Sequence, residues 1–307
     1  MYLYRAVIIK IRGLCKSYKN HEVLHDFNLT VGQGHICGLI GPNGAGKTTI
    51  MKILAGLIVQ DKGEIEFFGS GNELEKSRAR ISFMIEQPII AGTLTAHENL
   101  EYIRYLRGYP DECRIDAILD MVGLSDTEKK DVDKFSLGMK QRLGIGMALL
   151  PKPEIMVLDE PVNGLDPEGI VEVRQLIKRM QEEWGVTVLI SSHLLSELSE
   201  LCTDFSIIRK GRIVENISRE ELLVKCRGHI SLKTNDISRT VAILEDKLSI
   251  IDYKVMYGEK IHIFERISEI ERISKTLTDS GLIITGLSEE GQSLEDYYLE
   301  KVGDNNE

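Results

Sequence analysis

Apolar positions follow two rhythms along this chain. HICGLI (35–40), EIMVL (154–158) and VTVLIS (186–191) are nearly unbroken apolar runs. Such runs predict strands buried on both faces of a parallel sheet. After the first run the spacing lengthens to Ile50, Ile53, Leu54 and Leu57, a helical period. TLTAHENLEYIRYL predicts a helix opened by a capping box from Thr95 to Glu98. A further helix starts near Ser136, runs to Leu150 and is ended by Pro151. The opening MYLYRAVIIKIRG is expected to be a strand and not a signal peptide, because charges interrupt its apolar patch and no small-residue cleavage site follows.

After GRIVE (211–215) the pattern changes. HISLKT reads as a strand, ISRTVAILEDKL as a helix, DYKVMYG and KIHIFE as strands, ISEIERISKTLTDSG as a helix and LIITGL as a strand. That order, βαββαβ, predicts a small α+β domain of ferredoxin-like arrangement. SLEDYYLEKV adds a last short helix before a polar tail. No catalytic constellation stands out in this segment, and an accessory packing or dimer-stabilising role is expected of it. The division is therefore 1–215 and 216–307.

Composition narrows the function. With 48 acidic and 38 basic residues the net charge is −10, which argues against free-standing nucleic-acid binding. No apolar run approaches the ~18 residues that span a bilayer. Five cysteines (Cys15, Cys37, Cys113, Cys202, Cys226) are scattered without C-x-x-C spacing, as expected of reduced thiols in a cytoplasmic protein.

The chemistry begins in the turn after Ile40. Gly41, Pro42, Asn43, Gly44, Ala45, Gly46, Lys47, Thr48 and Thr49 fit G-x-x-x-x-G-K-[ST] between a strand and a helix. Glycines let backbone N–H groups and the helix N-terminus approach a polyphosphate. Lys47 brings a mobile charge to the outer phosphates, and Thr48 offers a hydroxyl to magnesium. The second apolar run ends in two acids, which strand alternation sends to opposite sides. Asp159 is expected to reach magnesium through its water shell, and Glu160 to polarise the attacking water. His193, ending the third run, is expected to touch the terminal phosphate.

FSLGMKQR (135–142) completes a set of motifs that, over residues 8 to 215, resembles the nucleotide-binding subunits of ATP-binding cassette transporters. The resemblance implies a phosphate-loop NTPase cassette of α/β class with an antiparallel β subdomain and a helical signature subdomain, about 88–150. It implies ATP and Mg2+ as ligands, and a homodimer holding two ATP at its interface. Ser136 and Gly138 would then contact the γ-phosphate bound by the opposite subunit. The common leucine-serine-glycine-glycine-glutamine has become Phe135, Ser136, Leu137, Gly138 and Met139 here, so serine and one glycine remain. Tyr18 corresponds to the ring that stacks on adenine, and Asp166 of NGLD to the dimer interface.

In ISFMIEQP the resemblance puts a magnesium and γ-phosphate sensing glutamine at Glu86, with Gln87 next to it; a one-residue slip restores glutamine. The helix carrying Tyr102 and Tyr105 would belong to the region that receives a cytoplasmic helix of an integral membrane permease, and those tyrosines are expected to be core or groove lining. IEQP, LTAHENL and SLGMKQRLGIGMALL together resemble the bacitracin and lantibiotic immunity exporters. The implied protein is cytoplasmic, peripheral to the inner face of the membrane. A soluble cassette ATPase acting on ribosomes or nucleic acid is the alternative, disfavoured by the single cassette and the acidic balance.

Overall fold

The computed structural model describes residues 6–19, 21–109, 113–127, 129–256, 260–291 and 293–303. Residues 1–5 of the expected first strand, 257–258 of the expected strand DYKVMYG and the end of the polar tail lie outside them, as does the side chain of Cys113. The chain divides into two compact units, Met1–Arg219 with Lys301–Glu307, and Glu220–Glu300.

The first unit contains two sheets. β1 (Val7–Tyr18), β2 (His21–Gly32) and β4 (Lys62–Phe67) form an antiparallel sheet in the order β2-β1-β4. β3 (Ile36–Ile40), β5 (Ile81–Met84), β6 (Ile155–Leu158), β7 (Thr187–Ser192), β8 (Asp204–Arg209) and β9 (Arg212–Ser218) form the other, ordered β5-β6-β7-β3-β8-β9. Its first five strands are parallel and only β9 runs back against β8. Every residue of β3, β6 and β7 is buried, as their unbroken apolar runs require. The parallel order brings the C-terminal ends of β3, β7, β6 and β5 to one rim. β9 stays paired through Ser218, so the cassette extends a few residues past 215.

α1 (Lys47–Leu54) is shorter than its apolar spacing predicts. Gly56 adopts φ 78°, and the Gly56 and Leu57 amides return to the carbonyls of Ile53 and Lys52. That is a Schellman ending, and it leaves Leu57 exposed. α2 (Leu74–Arg78) is a short surface helix. α3 (Ala96–Arg107) has the expected capping box, with reciprocal bonds between Thr95 and Glu98. Tyr102 and Tyr105 project into solvent from it and are neither core nor groove lining; Tyr105 stacks on the Arg104 guanidinium 4.3 Å away. α4 (Cys113–Met121) and α5 (Leu137–Leu149) complete the helical region. α6 (Pro167–Trp184) starts on an Asp166 cap to the Gly169 amide and stops at left-handed Gly185. α7 (Leu195–Leu198) is short, and α8 (Arg219–Lys225) falls almost wholly in the second unit. The core gathers Leu24, Phe27 and Phe67 of the antiparallel sheet with Leu39, Val157 and Leu189 of the parallel one around Ile50 and Ile53 of α1. Among the described residues no helix is long and apolar enough to cross a membrane.

In the second unit β10 (His229–Thr234), α9 (Ile237–Asp246), β11 (Tyr253–Met256), β12 (Lys260–Ile263), α10 (Ile270–Asp279) and β13 (Ile284–Glu290) follow one another as strand, helix, strand, strand, helix, strand. The sheet order is β11-β12-β10-β13, with every pair antiparallel. Ile230, Leu232, Ile261 and Ile263 form its core with Leu244 of α9 and Ile273 and Leu277 of α10. α11 (Leu294–Val302) ends the described chain.

Candidate nucleotide site

The rim of the parallel sheet assembles most of the residues singled out by the sequence. After β3 the chain turns through Gly41 to Gly46 into α1. Gly46 has φ 108°, and a Cβ there would lie 2.7 Å from Leu24 Cδ2. At Gly41 a Cβ would meet both Ile208 Cγ2 and its carbonyl oxygen at 2.5 Å. Only glycine fits either position, and the loop is thereby pulled tight against β8. The amides of Gly44, Gly46, Lys47 and Thr48 meet no acceptor among the described residues. They form a row of free donors at a helix N-terminus, which is what a phosphate chain requires.

Lys47 is 5% exposed and lies inward. Its ammonium donates to the Gly41 carbonyl at 2.6 Å and the Pro42 carbonyl at 3.2 Å, and pairs with Glu160 Oε1 at 3.1 Å. The hydroxyl of Thr48 donates to Asp159 Oδ2 at 2.7 Å. A hydroxyl and a carboxylate side by side are hard oxygen donors of the kind magnesium takes. The residues present therefore fit both ATP and Mg2+.

Asp159 and Glu160 have separate partners, but not because of strand pleating. β6 ends at Leu158, and the separation comes from Glu160 itself, which adopts a left-handed φ of 49°. Asp159 is buried and accepts from Ser191 Oγ at 2.6 Å. The same Ser191 oxygen accepts the Glu160 amide at 2.8 Å. One fully buried hydroxyl thus holds both acids in place. Glu160 Oε2 lies 2.7 Å from His193 Nδ1, so this carboxylate links Lys47 to His193. Non-glycine residues in left-handed backbone cost about 1–3 kcal/mol and persist where the surroundings hold them. Ser191 was not apparent as a site residue in the sequence; its signal is a small hydroxyl one position past Ile190, which pairs in register with Leu158.

Glu86 also has a left-handed φ, 65°, and lies exposed beyond β5. Its carboxylate accepts from Lys52 Nζ at 2.7 Å and makes no bond to Thr48 or Asp159. That hydrogen bond first, with the Tyr18 phenol and Asp159 among the smaller contributors, raises the Lys52 ammonium above the usual lysine range. Tyr18 ends β1 with its ring exposed and Lys16 Nζ 5.7 Å from its centroid. Gln87 lines a mixed groove between β5, α3 and α5 of about 640 Å³, with Phe83, Pro88, Ile103 and Met147 beside Arg78 and Arg107.

Ser136 and Gly138 stand apart from this rim. Ser136 caps α5 by accepting the Met139 amide at 3.2 Å, and no hydrogen bond or ion pair joins it to the phosphate loop. It is exposed at the helix start, and Leu137 beside it is exposed as well. A Cβ on Gly138 would lie 3.6 Å from the Gly169 Cα, so the starts of α5 and α6 adjoin.

Residues 24–163 match the family model described as ABC transporter. An uncharacterised ABC transporter ATP-binding protein of Bacillus subtilis, YcbN, is 40% identical over 97% of this chain and 98% of its own length. The bacitracin transport ATP-binding protein BcrA of Bacillus licheniformis is 39% identical over the same shares of the two chains. The lantibiotic transport ATP-binding protein SrtF of Streptococcus pyogenes is 43% identical over 67% of this chain and 89% of its own. Among solved structures, a dimeric ATP-binding cassette in a post-hydrolysis state with ADP and Pi superposes with a TM-score of 0.60 at 26% identity. That match covers 69% of this chain and 99% of the other.

Proposed function

This chain belongs to the ABC transporter family as one of its ATP-binding, ATP-hydrolysing subunits, and from that premise we propose that two copies close on two ATP molecules to drive a separate membrane permease exporting peptide antibiotics of the bacitracin or lantibiotic kind. The observation that carries this reading is the whole-length similarity to BcrA, which includes the second unit as well as the cassette. The site supplies the chemistry. The free amides of the loop and Lys47 bind the phosphates once Lys47 leaves Glu160. Thr48 and Asp159 hold magnesium, with Glu86 or Gln87 as the third candidate; the ion, when bound, neutralises charge on the phosphates. Glu160 orients water and takes its proton, and His193 fixes the Glu160 carboxylate and meets the terminal phosphate.

Tyr18 stacks on the base. Ser136, exposed at the start of α5, and the Gly138 amide reach the γ-phosphate of the partner copy, with Asp166 at the same interface. The groove beside Gln87 receives a cytoplasmic helix of the permease, which puts the protein on the inner face of the membrane. Residues 1–215 and the few after them form the cassette, and the rest an accessory domain.

Deleting the gene in its host tests the cargo. Tolerance to bacitracin or a lantibiotic should fall, wild type should restore it, and Lys47→Ala should not, because closure without bound ATP has no driving force. Unchanged tolerance to a panel of such peptides would overturn the cargo. The ATPase assignment rests on the phosphate loop and the acidic strand and does not depend on that outcome.

A further inference from the structure

Three side chains meet on the sheet of the second unit. Ile230, Leu232, Ile261 and Ile263 point into the core formed with α9 and α10. Strand alternation therefore sends His229, Ser231 and His262 to the opposite face. β10 is flanked by β12 and β13. Register sets His229 directly opposite Glu290 on β13 and pairs Ser231 with His262 on β12, making His262 a diagonal neighbour of His229. The ligand atoms of His229, His262 and Glu290 all lie within 4.8 Å of one another.

We propose that His229, His262 and Glu290 bind one divalent transition-metal ion, with zinc the first candidate, tying the central strand β10 to both of its neighbours. Two imidazoles and one carboxylate suit zinc, and do not suit magnesium or calcium, which prefer an all-oxygen shell. His229 Nδ1 lies 3.3 Å from the Arg227 carbonyl and donates to it. That bond leaves Nε2 with its lone pair outward, the tautomer a metal needs and the usual outer support of a ligating histidine. Nε2 is buried and meets no hydrogen-bond partner. Its nearest carboxylate oxygen, Glu290 Oε2, is 3.7 Å away, too far for a hydrogen bond. Donors about 2.0–2.2 Å from a tetrahedral zinc stand about 3.3–3.6 Å apart, so this gap is nearly the spacing of two ligands on one ion.

The remaining groups agree. Ser288 Oγ donates to the other Glu290 oxygen at 2.8 Å. Hydrogen bonds from Ser288, then Ser231, hold the Glu290 carboxyl below the usual range, so it is ionised. Burial first, then His229, pushes the His262 imidazole below the usual histidine range. The two imidazoles stack with centroids 4.1 Å apart at 26°. Phe264, 5.4 Å from His229, borders the cluster. Lys260 opposes a cation, and the ionised Glu290 offsets it.

Full-length protein stripped with a chelator and freed of nucleotide is titrated with zinc against a chromophoric competitor. One equivalent should bind, and His262→Ala and Glu290→Gln should each weaken it at least ~100-fold, beyond the ~10–100-fold of an outer-shell change. Cobalt in place of zinc should give the visible bands of a tetrahedral N,O site. Circular dichroism of both variants without metal establishes that they fold. Either of two results overturns the proposal: equal zinc affinity in wild type and both folded variants, or a cobalt spectrum dominated by thiolate charge transfer, which would assign the metal to cysteines.

Discussion

Replacing Glu160 with glutamine exchanges one oxygen for an amide nitrogen and leaves the side-chain volume unchanged. In the structure this carboxylate meets Lys47 Nζ at 3.1 Å and His193 Nδ1 at 2.7 Å. The substitution should push hydrolysis and ATP binding in opposite directions. An amide cannot take a proton from water, so the hydrolytic step loses its base. A positioned general base contributes about 10²–10⁴ in rate. At about 1.36 kcal/mol per tenfold, the barrier rises by about 2.7–5.4 kcal/mol.

Binding changes the other way because the phosphates must take Lys47 from Glu160. A bare Coulomb term for this pair at an effective dielectric of about 20 is about 5 kcal/mol, an upper bound. Lost hydration reduces it toward the net of about 1.5–3 kcal/mol typical of charged hydrogen bonds. Glutamine keeps a carbonyl that still accepts from Lys47, so about 1 kcal/mol is released and ATP affinity rises about fivefold. Phosphate release at saturating ATP and equilibrium ATP binding measure the two effects separately. Turnover within tenfold of wild type refutes the role of Glu160 as base. A fall in ATP affinity refutes the competition for Lys47.

Ser191→Ala removes the hydroxyl that donates to Asp159 and accepts from the Glu160 amide; unfolding free energy should fall by about 2–4 kcal/mol in denaturant, and a loss below about 0.5 kcal/mol would show that the bridge contributes nothing. Ser136→Arg should bind ATP as a monomer yet fail to dimerise in light scattering on a Glu160→Gln background, and a stable ATP-bound dimer would refute the contact across the interface. Because Ser136→Arg also removes the cap to Met139, a thermal scan of the monomer separates the cap's cost of about 1 kcal/mol from lost association.

The phosphate loop could be read from the chain because its requirements are local: glycines where a Cβ cannot fit, then a lysine and a threonine on the first helical turn. Thr48 and Asp159, 111 positions apart, were legible because each belongs to its own motif. Ser191 was not, since only the parallel register of β6 and β7 places it beneath both acids. The premature end of α1 has a similar cause: the apolar spacing continues to Leu57, but left-handed Gly56 returns the last amides to the helix. His229, His262 and Glu290 show no ligand spacing along the chain. They meet only through antiparallel pairing of three strands, a relation that neither periodicity nor motif encodes.

Charge at the rim accommodates an acid at position 86, where the family resemblance puts glutamine unless the register slips by one to Gln87. Asp159 and Glu160 follow β6, Glu86 follows the neighbouring β5, and three carboxylates at adjacent strand ends would repel one another. α1 answers with Lys47, held against Glu160, and Lys52, held against Glu86, five residues further along the same helix. Asp159 needs no lysine, because Thr48 and Ser191 both donate to it. Each acid therefore has its own donor before any ligand arrives. Incoming phosphates compete for Lys47 alone and leave Lys52 with Glu86. On the proposed reading, an anionic ligand would displace Glu160 from its lysine and free that carboxylate, still held by His193, to meet water. Loss of the Lys47 pair on nucleotide binding would thus both seat the phosphates and release the base.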